Sequence, residues 1–155
     1  MAQFTFIRPA ESGEMAQDIR ELFEDLAASL PRELRAYSGE CHPALDVLET
    51  DTALEVIVDV SGVPPQAIRV MFRGNVLVVA GEKAPSPTGP HQSYHLVERE
   101  FGRFARVVSV PGAYDIAHAR AEIRSGELTI ILPKIEERRG RAHRIALTAP
   151  GTARA

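Results

Sequence analysis

Residues 53–65, "ALEVIVDVSGVPP", decide how the rest of the chain is read. Leu54, Val56, Val58 and Val60 recur at every second position, the period of an extended strand with one buried face. Gly62, Pro64 and Pro65 then break the run. Further strand-like stretches follow at close spacing. "AIRVMF" (67–72) and "VLVVAGE" (76–82) flank a short turn at Gly74 and Asn75. "GRFARVVSVPG" (102–112) is stopped by Pro111. "ARAEIR" (119–124) and "ELTIILPK" (127–134) flank Ser125–Gly126, a two-residue hairpin turn. No helical pattern separates these segments, so residues 43–134 predict an all-β, antiparallel sandwich.

The two ends read differently. In residues 1–42, "FTFI" sets Phe4, Phe6 and Ile7 in a short apolar patch. Met15, Ile19, Leu22, Phe23, Leu26 and Leu30 then follow helical spacing. Ser12 can cap this helix, Glu14 suits its first turn, and Pro31 stops it. Its apolar stripe can pack on its own domain, the slightly favoured outcome, or on another subunit or a foreign apolar surface. "PRELRAYSGECHP" reads as a linker. Residues 135–155 form a tail, where the charged "IEERRGRA" precedes Ile145 and Leu147, two aliphatics that share a face of an extended chain.

Composition bounds the function. The chain has 155 residues, 45% hydrophobic and 25% charged, with a net charge of −3, an ordinary globular balance with no general basic field for nucleic acid. Arg138, Arg139, Arg141 and Arg144 in the tail are read as part of a solvated linker, partly balanced by Glu136 and Glu137. Cys41 is the single cysteine, which rules out an internal disulfide framework and suits a reducing cytoplasm. The first residues contain no long apolar run of signal-peptide type. No apolar stretch is long enough to span a bilayer, so no membrane partner is expected.

Residues 44–70, "ALDVLETDTALEVIVDVSGVPPQAIRV", with "VLVVAGEK", "YHLVEREFGRFARVVSVP" and "AEIRSGELTIILPK", resemble an α-crystallin domain of the small heat-shock proteins, of the bacterial and plant-like type. The tail "RIAL" resembles the family's Ile-x-Ile/Val motif, with Leu147 in the second slot. Glu127 departs from the pattern, which has an apolar residue after the Gly of the last hairpin. The resemblance implies an immunoglobulin-like sandwich that assembles into dimers and larger homo-oligomers and holds non-native client proteins without ATP.

Several site expectations follow. "SYHLVER" lies beyond the Pro-rich "APSPTGP" (84–90), a connection too long for a tight hairpin. A strand on such a tether can pair with a partner's edge through main-chain hydrogen bonds. The resemblance implies the same exchange, making Ser93, Tyr94, His95, Leu96, Val97, Glu98 and Arg99 the dimer contact. It also places Arg106 at the family's central arginine, near that interface. Ile145 and Leu147 are expected in a neighbour's groove, which the resemblance sets between the strand bearing Ile68, Val70 and Phe72 and the strand bearing Ala121 and Ile123. Non-native clients expose apolar surface and need apolar surface in return. Phe4, Phe6, Ile7, Ile19, Leu22, Phe23 and Leu26 are the candidate client-binding set.

Catalysis finds little support in the sequence. There is no Gly-x-Ser-x-Gly and no phosphate loop. His91 and His95 are four apart, but in a loop-and-strand region that gives them no shared helical face, so no metal or cofactor is expected. Asp115 and His118 lack an accompanying nucleophile. The alternative to a holdase is a co-chaperone or scaffold module of the related CS sandwich type, binding folded partners as a monomer. The amphipathic arm and "RIAL" argue against it.

Overall fold

A computed structural model describes residues 13–35 and 39–135. Helix α1 (Gly13–Ser29) precedes seven strands: β1 (Leu45–Glu49), β2 (Ala53–Asp59), β3 (Ile68–Arg73), β4 (Val76–Lys83), β5 (Gly102–Ser109), β6 (Arg120–Arg124) and β7 (Glu127–Pro133). They form two antiparallel sheets, β1-β2-β7-β6 and β3-β4-β5. The predicted all-β sandwich is the observed fold.

The alternation read from residues 53–65 does the packing. Leu54, Val56 and Val58 of β2 and Leu128, Ile130 and Leu132 of β7 point inward, against Leu77 and Val79 of β4 and Phe104 and Val108 of β5. Each such aliphatic, fully buried, contributes on the order of 1.5–3 kcal/mol. The two hairpin turns sit where expected. Gly74 takes φ 59° at the first central position, and Arg73 faces Val76. Ser125 and Gly126 take φ 52° and 80°, the left-handed pair of a type I′ turn, with Arg124 facing Glu127.

Two features differ from the sequence pattern, and a third decides between outcomes it left open. β1 was not singled out as a strand. Only Leu45 and Val47 face inward, and Leu48 lies on the outer side, 51% exposed, so the alternation is too short to stand out. Thr50 closes the β1–β2 turn, its Oγ1 accepting from the Ala53 N–H at 3.0 Å. In contrast, Ser93–Arg99 forms no strand, and every residue of it is exposed. A strand exists only when its backbone groups are paired, and none of the described residues pairs them as a strand.

The third feature is α1. Of the two fates open to its apolar stripe, packing on its own domain is the one observed. Leu26 and Leu30, 0% and 2% exposed, enter the main core. Met15 and Ile19 form a second cluster with Val78 of β4 and Val107 of β5. This explains why "VLVV" in β4 does not alternate. Leu77 and Val79 face the other sheet, while Val78 and Ala80 face outward, where α1 covers Val78.

The linker re-enters the sandwich at one close contact. Cys41 N–H donates to Arg103 O at 3.0 Å and Arg103 N–H to Gly39 O at 3.1 Å. This short parallel pairing covers the outer edge of β5 at its start. Gly39 and Gly102 take φ 94° and 132°, and a Cβ on Gly102 would overlap the Gly39 carbonyl.

Gly81, in β4, has an ordinary backbone, but a Cβ there would lie 2.6 Å from Ala67 O and collide with the Phe104 ring. Gly81→Ala should therefore destabilise the fold by roughly 1–3 kcal/mol through overpacking. The urea midpoint should fall while the slope stays unchanged. An unchanged midpoint would mean that β4 and the Pro65–Ala67 turn separate freely.

Candidate functional site

The two sheets do not close on each other at their edges, and the candidate sites lie there. β3 ends one sheet and β6 ends the other, so their inner rows meet at an open mouth. Along β3, Ile68 is buried in the core, Val70 is 39% exposed and Phe72 is half-buried. Along β6, Ala121 is exposed and Ile123 packs against the core. Between them lies a groove of about 200 Å³. Val70, Phe72, Ile116, Ala119 and Ala121 line its walls with Arg120 at the β6 side, and Leu77, Ile130 and Leu132 reach it from the core. The structure thus brings Val70, Phe72 and Ala121 together, whereas Ile68 and Ile123 pack with the main core and do not line the groove. Its volume is below the roughly 300–1,000 Å³ of a small-molecule site and suits a few aliphatic carbons. Asp115 and His118 do meet, Oδ2 to Nδ1 at 2.7 Å, on the exposed turn beside this groove.

The exposed loop is held at its base. Tyr94 Oη donates to Ser86 O at 3.5 Å, the His42 N–H donates to Glu100 at 3.4 Å, and the Arg99 guanidinium lies 5.1 Å from the Phe101 ring centroid. Between these anchors Leu96 is 73% exposed, with Tyr94 and Val97 also in solvent. Three large apolar side chains on one exposed segment carry a cost in water that a partner's surface would remove. The outer edge of β1 is also uncovered among the described residues.

Arg106 lies on the inward row of β5, between Phe104 and Val108, and is 4% exposed. Its Nη1 donates to the Pro43 carbonyl, two residues before β1. Burial pulls its pKa below the ordinary guanidinium value, though an arginine stays charged. The residue therefore ties β5, across the sandwich, to the start of the β1 edge. Cys41 is also buried, its Sγ 3.5 Å from Gly102 O. Burial pushes its thiol pKa up against the opposing pull of Lys83, which makes it a poor nucleophile.

Of the candidate client-binding residues, Leu26 and Ile19 are buried under the docked α1, whereas Leu22 and Phe23 are half-buried. Phe4, Phe6 and Ile7 lie outside the described residues, as do Ile145 and Leu147. Sequence reasoning missed the ion pairs that fasten α1: Asp18 to Arg73 and Asp25 to Arg69. The unbroken "VLVV" was the signal for a helix on that face, since a strand buried on both sides needs cover on both.

Two unequal antiparallel sheets with a groove at the open β3–β6 mouth define an α-crystallin-type sandwich. The Hsp20/alpha crystallin family model matches residues 46–148. Heat shock protein 16 of Schizosaccharomyces pombe is 30% identical over 123 residues, 77% of this chain and 85% of that protein. Small heat shock protein C4 of Rickettsia felis is 27% identical over 130 residues, covering 79% and 80%. The solved structure of heat shock protein 16.0 from S. pombe superposes with a TM-score of 0.60 at 27% identity, over 70% of this chain and 99% of that one. A small heat-shock protein from Xylella fastidiosa shares the fold, with a TM-score of 0.62 at 24% identity over 70% and 98% of the two chains. This chain belongs to the Hsp20/alpha-crystallin family, the small heat-shock proteins. Proteins of this family are chaperones rather than enzymes; they form oligomers and bind client proteins.

Arg106→Ala removes a buried donor, leaves the Pro43 carbonyl without it and opens a cavity. Stability should fall by roughly 1–3 kcal/mol. Hydrogen exchange should accelerate first at Leu45–Glu49, the edge the arginine supports. Uniform acceleration over all seven strands would show that Arg106 serves the whole core instead.

Proposed function

We propose that this chain is an ATP-independent holdase, binding unfolding proteins and keeping them from aggregating, and that it works as a cytoplasmic homo-oligomer. The observation that carries this reading is the apolar groove left open between β3 and β6. An open apolar groove on a soluble domain asks for an occupant, and the chain's own tail has the right one in Ile145 and Leu147. In this reading residues 1–42 are the client-binding arm, 43–134 the assembling sandwich and 135–155 the tether. Burying two such side chains contributes roughly 3–6 kcal/mol, and ordering the tail offsets much of it. One contact is weak, and many in one assembly hold it together while letting subunits exchange.

The dimer contact in this reading is Ser93–Arg99, added as a strand to a partner's β1 edge. Its exposed Tyr94, Leu96 and Val97 and the uncovered edge of β1 support that pairing. Arg106 then acts from beneath, holding the start of β1 in place. The lone Cys41, kept as a free buried thiol, suits a reducing compartment.

Ile145→Ala with Leu147→Ala should leave the sandwich folded, with an unchanged β signature in circular dichroism. Sedimentation velocity should show the mass falling from a large oligomer to about a dimer. Retention of the wild-type mass would exclude the tail from assembly. Replacing Ser86–Arg99 by a short Gly linker should instead take the dimer to monomers, and a dimer surviving dilution would place the contact elsewhere. Wild-type protein mixed with a heat-denaturing client, without nucleotide, should keep light scattering low. Undiminished scattering at equimolar protein would reject the holdase reading.

A further inference from the structure

α1 is held in two unlike ways along its length. Its C-terminal end is anchored, because Leu26 and Leu30 belong to the main core. Its N-terminal turns lie on a separate apolar patch, where Met15 and Ile19 cover Val78 and Val107 on the outer face of the β3-β4-β5 sheet. A small satellite cluster of this kind opens at lower cost than the global fold.

The edge of this patch is charged, and the match is specific. Asp18 Oδ1 lies 3.0 Å from Arg73 Nη1, and Asp25 Oδ2 lies 2.6 Å from Arg69 Nε. Seven helical residues span about 10 Å, and four strand residues about 13 Å. Two acids on α1 therefore meet two arginines on β3, with the helix running antiparallel to the strand. The Arg103 guanidinium lies 5.3 Å from the Phe23 ring centroid on the side toward β5. Asp18 is 5% exposed, whereas the Arg73 side chain is 63% exposed. An apolar face needs only an apolar cover. Asp18, almost fully buried at the margin, depends on Arg73 to offset its desolvation, whereas the exposed Arg73 stays solvated without it; the pair therefore marks the position at which a docked helix can carry an acid.

We propose that the outer face of the β3-β4-β5 sheet is a binding site for an acid-bearing amphipathic helix, that the N-terminal turns of α1 are its resident occupant, and that α1 hinges about Leu26 to admit such a segment from a non-native client. The proposal rests on the holdase reading for the source of the incoming segment. The site itself rests on the apolar patch and the arginines beside it. α1 is then a strap as well as an arm: it closes over the site in the resting chain and is displaced by a segment of its own chemistry.

Asp18→Arg in the full-length chain sets like charges against Arg73 and should lift the strap. Hydrogen exchange measured by mass spectrometry should then rise at least about tenfold over residues 13–23, with 26–30 and β3–β5 still protected. Asp18→Arg combined with Arg73→Asp should restore protection, which guards against a mere folding defect. A fluorescent peptide of residues 13–24 should bind the Asp18→Arg chain about tenfold tighter than it binds wild type, measured by anisotropy. The same peptide carrying Asp18→Arg should not gain this affinity. Unchanged exchange over 13–23, release of 26–30 together with it, or equal binding of both peptides would each overturn the proposal. None of these readings depends on client protection, so loss of holdase activity and loss of this site are separable.

Discussion

A β-sandwich can bury its side chains, but it cannot bury its edges. Each sheet ends in a strand with one row of N–H and C=O groups that no neighbour in the sheet can satisfy. Two open sheets have four edges here: β1 and β6 in one, β3 and β5 in the other. The core of Leu54, Val56, Val58, Leu77, Val79, Ile130 and Leu132 sets the fold, and the edges set what it can do. The start of β5 is covered by Gly39–Cys41. β3 and β6 meet at the apolar groove. β1, steadied from within by Arg106, is uncovered among the described residues. Among the described residues, β1, β3 and β6 keep an edge that no further strand pairs.

The helix solves a different problem on the same sheet. Strand β4 is apolar on both faces, and only one face meets the other sheet. α1 supplies the missing layer, so Val78 is as dry as Val79. Polar anchors then decide its register. Asp18 to Arg73 and Asp25 to Arg69 are ion pairs in which one member of each is well exposed, and such pairs add orientation more than stability. Leu26 and Leu30 do the holding.

How much of this the sequence disclosed depends on whether a residue's role is local. The alternation of Leu54–Val60 and the turn chemistry of Gly74 and Ser125–Gly126 are local, and strands and hairpins came out where expected. The Ile68–Phe72 and Ala121–Ile123 strands could be set opposite each other only through family resemblance, because no spacing tells which strands from different sheets will face. β1 was hidden because two inward residues make no pattern. Ser93–Arg99 reads as a strand and is none in the single chain, since pairing is a property of two segments. The pairing of Asp18 with Arg73 joins residues far apart in the chain and left no periodic trace. The burial of Arg106 was equally unreadable, because half-exposed and buried strand arginines look alike in sequence.

The meeting of Gly39 with Gly102 joins two segments that otherwise have separate work. The arm leaves the sandwich there, and the loop that carries Tyr94–Val97 returns there, one residue from Arg103. No side chain fits between the two backbones, and the hydrogen bonds of Gly39 and Cys41 to Arg103 stitch them together. Mechanically this is a knot with two free ends. Under the proposed pairing of Ser93–Arg99 with a neighbour, a pull on the loop would be borne at this contact and would reach the root of the arm. The grip of one subunit on the next and the set of its own arm would then be geared to one another by a few atoms of glycine backbone.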